Sequence, residues 1–269
     1  MSRWVKRLGI GLGVVVVLLV GLRIVIAIRD QTDPVDPDAI AEDFDDSGAT
    51  TDGVPALDTG VWAYDASGEE YIDVLGGPLH EFPEEVAQTV SDTMCGQAID
   101  LRLFEQRYDI LDLCRDDEGR LLLDTIVTHH EFVGIVDETV TDGCDPLAVW
   151  WPGMEDDVDD GPTSASCTAT STVSGEVGTV LTHEILGVEQ IVIAGEEHRA
   201  VRIRLTSELG TPRAPTQGTY VNEFWFGLDD PTILRRSLDA EASAESPFGS
   251  LGYEEQFDLW VQSIEPLPG

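Results

Sequence analysis

The sequence predicts a mainly β protein: a single N-terminal transmembrane helix, followed by a large curved antiparallel sheet of half-barrel type that carries two disulfides. Three observations lead to this prediction. An apolar run occupies the N-terminus, short segments of alternating apolar and polar residues recur through the rest of the chain, and four cysteines lie among those segments. The chain has 269 residues, of which 42% are hydrophobic, so it can bury a sizeable core.

The N-terminal element is the stretch 8–28, which is apolar except for Arg23 and long enough to cross a bilayer as a helix. Three basic residues precede it and an acidic run follows it, which places the N-terminus in the cytoplasm and the rest of the chain outside. We therefore interpret 1–29 as a cytoplasmic tip and transmembrane anchor in a single-pass protein of the cell membrane, with the lipid bilayer as its partner. A signal peptide cleaved near Ala27 is the alternative, and both interpretations export the remaining chain.

The exported part is strongly acidic. The formal net charge is −37, and all 52 acidic residues lie after residue 29 with only ten basic ones. Nucleic-acid binding is not expected, because it begins with the neutralisation of phosphates by basic side chains. Residues 30–59 contain ten acidic residues, no basic residue and few large apolar side chains. This composition predicts a disordered acidic linker between the membrane and the folded domain.

The four cysteines predict two disulfides in an exported domain. Three pairings are possible, and we favour Cys95–Cys114 with Cys144–Cys167, because each pair would close the open end of a β-hairpin. A zinc site is the alternative, but no two cysteines have the CxxC spacing that such sites commonly use.

From residue 60 onward the chain is predicted to form one exported β domain, 60–269. Apolar and polar residues alternate in short runs bounded by turn-forming residues, which is typical of half-buried strands. Sequential meander pairing of these strands is the simplest topology, with a two-layer sandwich as the alternative. The window 84–90 fits a helix or a strand. The ten candidate strands are 61–66, 69–75, 98–104, 107–113, 120–134, 182–194, 198–209, 219–227, 232–242 and 251–264.

The last two strands place charged residues on apolar faces. Alternation puts Glu255 on the same side as Tyr253 and Phe257, and puts Arg236 on the same side as Leu234 and Leu238. Since an isolated charge on an apolar face is costly, we predict a direct contact between Arg236 and Glu255. Exposure of both side chains at a curved sheet edge is the alternative.

Arginines concentrate between residues 199 and 236, where six of the ten exported basic residues lie. One interpretation is an anion or headgroup site, for which the candidate binding residues are Arg202, Arg204, Arg236 and Glu255. Cross-strand ion pairing with Glu223 and neighbouring acidic residues is the alternative, and we favour it.

No catalytic residues, metal ligands or cofactors are predicted. The sequence contains no nucleophile elbow, phosphate-binding loop, dinucleotide fingerprint or zinc-protease motif. His129 and His130 are adjacent, but neighbouring residues of a strand point to opposite faces, so they cannot form one ligand group. The acidic loop 155–161 does not follow the ligand spacing of an EF-hand calcium loop.

The C-terminal stretches 222–226, 231–237 and 246–266 resemble uncharacterised, membrane-anchored exported proteins of high-GC Gram-positive bacteria. The resemblance implies membrane anchoring and export but no known activity, and the turn at Asp229-Asp230-Pro231 departs from the glycine expected there. A fainter similarity is to curved-sheet lipoprotein-carrier domains. The residues that carry the resemblance are Trp225-Phe226, Leu234-Arg235, Phe248-Gly249, Tyr253, Glu255, Phe257 and Leu259.

These inferences together predict a non-enzymatic, membrane-anchored extracytoplasmic domain that binds an apolar or amphiphilic envelope ligand on its sheet. A structural or protein-interaction ectodomain without a ligand pocket is the alternative. A deep cavity would favour the first function, and a filled interior with an exposed apolar patch would favour the second.

Overall fold

The computed structural model describes residues 32–44, 57–73, 79–132, 135–211, 214–229, 231–246 and 249–269. Within these ranges the chain forms one α-helix, α1 (Pro37–Asp43), and fourteen β-strands. The described helix is too short to cross a membrane. The predicted anchor, 8–28, lies outside the described residues.

The strands are β1 (Gly60–Ile72), β2 (Leu79–Glu81), β3 (Glu85–Asp92), β4 (Gly96–Phe104), β5 (Arg107–Arg115), β6 (Leu121–Phe132), β7 (Ile135–Asp142), β8 (Ala148–Trp150), β9 (Thr163–Ser171), β10 (Gly175–Ile193), β11 (Glu196–Leu209), β12 (Thr216–Gly227), β13 (Ile233–Ser246) and β14 (Gly249–Val261).

Twelve of the described strands form a closed antiparallel barrel. Apart from the short strands β2 and β8, each strand pairs with the next one along the chain, so the predicted meander is confirmed. The sheet closes because β14 pairs with β1, in a register that places Tyr64 opposite Val261 and Ile72 opposite Tyr253. The predicted curved antiparallel sheet is confirmed, but it forms a full barrel rather than a half-barrel, and closure removes the two exposed edges.

The closing seam depends on a glycine. Gly68 of β1 lies opposite Phe257 of β14. Its φ angle of +153° is rarely adopted by residues with a side chain, and a Cβ atom there would collide with the backbone carbonyl oxygen of Gln256. Gly68 therefore allows the first and last strands of the barrel to approach each other closely.

The strands are longer and more numerous than the alternation predicts. The two candidates 61–66 and 69–75 are parts of one strand, β1, and the ambiguous window 84–90 lies largely in strand β3. Strand β7 was missed, and of β9 only the first residues, 163–166, were expected, as one arm of the hairpin closed by Cys144 and Cys167. The inward side chains of these two strands include threonine, serine and alanine rather than large apolar residues, so the alternation there is weak.

Both predicted disulfides are present. Cys95–Cys114 joins the open end of the β4–β5 hairpin, with Cα atoms 4.7 Å apart. Cys144–Cys167 has a Cα separation of 4.1 Å but does not close the predicted hairpin. Strand β8, which lies between these two cysteines, pairs with β6 instead, so the second bridge links β9 to the chain just after its neighbour β7.

Part of the predicted linker is folded onto the barrel. Helix α1 begins at an N-cap, where the Asp36 side chain accepts a hydrogen bond from the backbone N–H of Asp38. Its Ala41 is 1% exposed and packs with Val61 and Ala87 on the outer face of β1 and β3. This differs from the disorder predicted for all of 30–59, because one small apolar face is enough to dock a short helix on the outside of the sheet.

The barrel interior holds one large hydrophobic cluster. Inward positions of β1, β4 and β12 supply most of its largest side chains, and all of these are essentially inaccessible to solvent. Burial of this apolar surface is the main stabilising contribution to the fold. The largest fully buried aromatic side chains at inward positions are Trp62, Tyr64, Phe104 and Phe224.

Candidate functional site

A layer of buried charged and polar side chains crosses the barrel interior. Seven of its eight members are at most 8% exposed, and they come from five different strands of the barrel and from β2. We call this layer the charged floor. Its residues are Glu70, His80, Arg107, Asp109, His130, Arg236, Tyr253 and Glu255.

Two arginines and two acids form the centre of the charged floor. Arg107 of β5 donates through Nε and Nη2 to both carboxylate oxygens of Glu255 on β14, at 2.9 and 3.0 Å. Its Nη1 donates to Asp109 Oδ1 at 2.6 Å. Arg236 of β13 donates to the other oxygen of Asp109 at 2.8 Å. Since β5 is not adjacent to β13 or β14, these bonds connect separate parts of the barrel wall across its interior.

The remaining members of the floor surround Glu70, whose side chain is fully buried. Nδ1 of His80 lies 2.8 Å from Glu70 Oε1, and Nδ1 of His130 lies 3.2 Å from Oε2. The Tyr253 hydroxyl lies 2.8 Å from Glu255 Oε2, where it donates, and 3.3 Å from Glu70 Oε2. Tyr253 therefore joins the Glu70 group to the Arg107–Glu255 pair.

The environment of the floor stabilises the carboxylates of Glu70 and Asp109 in the charged form. Burial alone would raise the pKa of Glu70, but hydrogen bonds to His130 and His80 and the charge of Arg107 outweigh it and lower the pKa to about 2. Burial also opposes ionisation of Asp109, whose pKa the charges of Arg107 and Arg236 lower to about 2. Both acids are therefore ionised at neutral pH, inside the protein.

A cavity of about 210 Å³ lies next to the charged floor. His130 and Tyr253 belong both to the floor and to the cavity wall. Elsewhere the wall includes Ile72, which is paired with Tyr253, and Leu209 and Leu251, which lie at or near strand ends. The site is therefore an amphiphilic pocket with a charged and polar inner end, and most of its large apolar side chains lie towards the hairpin ends.

Hydroxyl and amide groups also line the cavity near its inner end. Thr128 of β6, with Tyr220 and Asn222 of β12, contributes polar side chains there. Further out, Ser171 donates a hydrogen bond to Asp137 Oδ1 at 2.7 Å. These groups can hydrogen-bond the polar atoms of a ligand whose remaining surface contacts the apolar walls.

The structure places the four predicted binding residues in two separate regions. Arg236 and Glu255 are 1% and 2% exposed, so their predicted location on inward faces is confirmed. Their predicted direct contact is wrong: Arg236 bonds Asp109, Glu255 bonds Arg107, and the Arg107–Asp109 pair connects them.

Arg202 and Arg204 lie on the outer face of β11, away from the cavity. The Glu223 carboxylate lies 2.7 Å from Arg202 and 2.8 Å from Arg204. Glu189 and Glu184 complete these cross-strand pairs at 3.0 and 3.5 Å. The ion-pairing alternative thus describes both arginines, and the predicted headgroup site does not form around them.

The outer arginines also stack on aromatic rings. The guanidinium groups of Arg202 and Arg235 lie 4.9 and 4.4 Å from the ring centre of Trp225, and Arg235 lies 4.3 Å from that of Trp260. These residues occupy directly paired positions on four consecutive strands. Such cross-strand pairs stabilise the outer face of a sheet, which is a structural role.

Sequence reasoning missed Arg107, Asp109 and Glu70. A signal for the first two was present, because alternation in 107–113 places them on the same face as Leu111 and Leu113, whose side chains are buried. Their cross-barrel partners could not be read from the sequence, because alternation gives the face of a residue and not the strand it meets.

Adjacent histidines of β6 point to opposite faces, as predicted. His130 lies inside, in the charged floor, whereas His129 stacks outside on the ring of Tyr108 at 4.5 Å between ring centres. Among the residues that the structure describes, no group of three or more His, Cys, Asp or Glu side chains is arranged to hold a metal ion.

No protein-family model and no curated protein match the chain. Among solved structures, the chain is similar to the hypothetical lipoprotein YmcC from Escherichia coli (K12), with a TM-score of 0.28 and 8% sequence identity. The similarity covers 75% of this chain and 86% of that one. A TM-score this low supports no inference about function. The resemblance to exported proteins of high-GC Gram-positive bacteria stays a prediction.

Proposed function

We propose that the barrel binds a single-chain amphiphilic molecule of the cell envelope in its interior, as a non-catalytic binding domain. The observation that supports this most is the cavity beside the charged floor, with apolar walls and a polar inner end. Its volume of about 210 Å³ is below the roughly 300–1,000 Å³ of most drug-sized pockets, which favours one chain over a two-chain lipid.

Membrane anchoring through residues 8–28 and an extracytoplasmic location belong to the same proposal. The two disulfides support an oxidising compartment, because such bridges persist mainly in exported proteins. An amphiphilic ligand would be abundant at the membrane surface to which the proposed anchor holds the domain.

The alternative is a protein-interaction ectodomain without a ligand pocket. It predicts a filled interior and a continuous exposed apolar patch. The cavity argues against a filled interior. The exposed large hydrophobic side chains of the long strand β10 include Val180, Val188 and Val192, and the register shift between Ile185 and Gly187 separates the first from the other two. We therefore favour the ligand-binding function.

Photo-crosslinking tests the proposal. The full-length chain in lipid nanodiscs is exposed to a decanol analogue that carries a diazirine, and the labelled peptides are identified by mass spectrometry. Labels are expected on the cavity-lining parts of β6, β11, β12 and β14. Ser207→Trp should fill the cavity and abolish this labelling. Thr206→Trp is the matched control, because the adjacent residue faces outward and should leave labelling unchanged. Labels only on outward-facing residues, or equal effects of the two substitutions, would refute the proposal.

A further inference from the structure

A second, smaller cavity of about 30 Å³ lies beneath the main one. Ile126, Thr128, Tyr220 and Asn222 line both cavities, so the two lie next to each other. Arg107, Asp109 and Arg236 of the charged floor complete the small cavity. A cavity needs about 10–15 Å³ of such space to hold one water molecule, so this one accommodates only a small polar group.

Arg236 lines this small cavity with hydrogen-bond donors that the protein does not use. Its Nη2 donates to Asp109 at 2.8 Å and to Asn222 Oδ1 at 3.2 Å. Its Nε and Nη1 have no hydrogen-bond partner among the described residues, although Arg236 is 1% exposed. The rings of Phe224 and Phe257 lie 5.0 and 5.5 Å from the guanidinium and provide no oxygen acceptor. A buried donor without an acceptor destabilises the protein, so a ligand that supplies an acceptor gains affinity.

The charges of the floor restrict the kind of acceptor. Arg107 and Arg236 are already balanced by Glu255 and Asp109, and Glu70 adds a third carboxylate. A ligand carboxylate or phosphate would therefore bring a further negative charge into a buried layer that has no excess of arginine. Burial of an uncompensated charge is much more costly than burial of a neutral acceptor.

The lining of the main cavity also determines how a ligand is oriented in it. Polar residues lie at its inner end beside Arg236, whereas the apolar wall residues Leu209 and Leu251 lie at or near strand ends. A ligand that matches this gradient enters with its polar end first and leaves its chain against the outer wall.

From these contacts we infer that the ligand is an amphiphile with a neutral oxygen acceptor, an alcohol, ester or amide, which enters polar end first and hydrogen-bonds Arg236. This inference rests on the proposed function and specifies the chemical class of ligand for the same site. It excludes free fatty acids and phosphate esters as the preferred ligands.

Competition against the diazirine-labelled decanol tests the inference, with the full-length chain in nanodiscs. The competitors are 1-decanol, methyl decanoate and decanoate, each corrected for its partition into protein-free nanodiscs. Both neutral compounds are expected to compete at least about tenfold more effectively than decanoate, which corresponds to about 1.4 kcal/mol. Arg236→Lys keeps the positive charge but removes the guanidinium donors, and it should reduce this preference.

Orientation is measured on the wild-type chain, so the inference does not depend on a variant that could fail to fold. A diazirine placed next to the hydroxyl should label the segments around Asn222 and Thr128, and a diazirine at the chain end should label those around Leu209 and Leu251. Equal or stronger competition by decanoate, or the reversed labelling pattern, would overturn the inference while the proposed function stands. Absence of cavity labelling by every probe would refute the proposed function itself.

Discussion

Removal of one member of the Arg107–Glu255 pair should strongly destabilise the barrel. The two side chains are 1% and 0% exposed, and two hydrogen bonds connect them across the interior. Glu255→Leu would leave Arg107 with Asp109 as its only carboxylate partner in the floor. Breaking a buried ion pair in this way typically costs about 3–5 kcal/mol. For a protein of this size that corresponds to a fall in Tm of roughly 6–20 °C.

A double-mutant cycle measures the coupling directly. The variants Arg107→Met, Glu255→Leu and their combination are compared by urea unfolding. The double variant should be more stable than the sum of the two single losses predicts, because neither charge is then left without its partner. Asp100→Asn is the control: it breaks the Arg102–Asp100 pair, whose side chains are 37% and 27% exposed, and should cost about 0–1 kcal/mol.

The predicted coupling is refuted if Glu255→Leu lowers stability no more than Asp100→Asn does. It is also refuted if the stability losses of Arg107→Met and Glu255→Leu simply add in the double variant. A second cycle, between Arg236 and Glu255, distinguishes the observed network from the predicted direct pair. Its coupling energy should be smaller than that of the Arg107–Glu255 cycle, because Arg107 and Asp109 lie between the two groups.

Three further predictions concern pH and the disulfides. Burial lowers the pKa of His183 to about 4, below its value near 6.5 in the unfolded chain, so the free energy of unfolding should fall as pH drops from about 6.5 to 4. In thermal melts, His183→Gln should reduce this loss of stability at low pH. The pKa of Glu70 is about 2 in the folded protein, below its value in the unfolded chain, so the stability that its ionised carboxylate contributes should be lost as pH falls from about 4.5 to 2. Glu70→Gln should remove this part of the loss of stability in acid. Replacement of both Cys144 and Cys167 by serine should lower stability by about 3 kcal/mol in urea unfolding.

Each of these predictions has a result that contradicts it. An unchanged pH profile in His183→Gln would show that the imidazole is accessible to protons in the folded state. If Glu70→Gln is as acid-sensitive as the wild type, other carboxylates dominate the transition. If the double serine variant unfolds at the same urea concentration as the wild type, the second bridge contributes no net stability.

The parts of the fold that depend on local alternation could be predicted from the sequence. In β14 the apolar positions place Glu255 on the inward face, and in β13 they do the same for Arg236, as the structure shows. The meander follows for a similar reason, because neighbouring strands with short turns pair with each other. Both disulfides then join chain segments that neighbouring strands bring together.

The parts that depend on contacts between distant strands could not be predicted. Closure requires β1 to meet β14, and no local pattern encodes that pairing. The position of Arg107 opposite Glu255 depends on the curvature and stagger of the whole barrel, which are set by all the strands together. A direct Arg236–Glu255 contact was the simplest arrangement of two inward charges on adjacent strands, but Glu255 pairs with Arg107 and Arg236 pairs with Asp109, both from β5.

Strand number connects the fold to the proposed function. About eight strands enclose a barrel interior that side chains can just fill, whereas a larger barrel must be filled by additional elements or retain a cavity. Here twelve described strands close the barrel, and the hydrophobic cluster and the charged floor fill part of its interior. The cavity is thus a consequence of closure at this strand number, and the floor determines its polarity. Because Arg236 belongs to both the floor and the small cavity, substitutions there should change ligand preference and stability together, whereas those at Ser207 should change ligand binding with little effect on the floor.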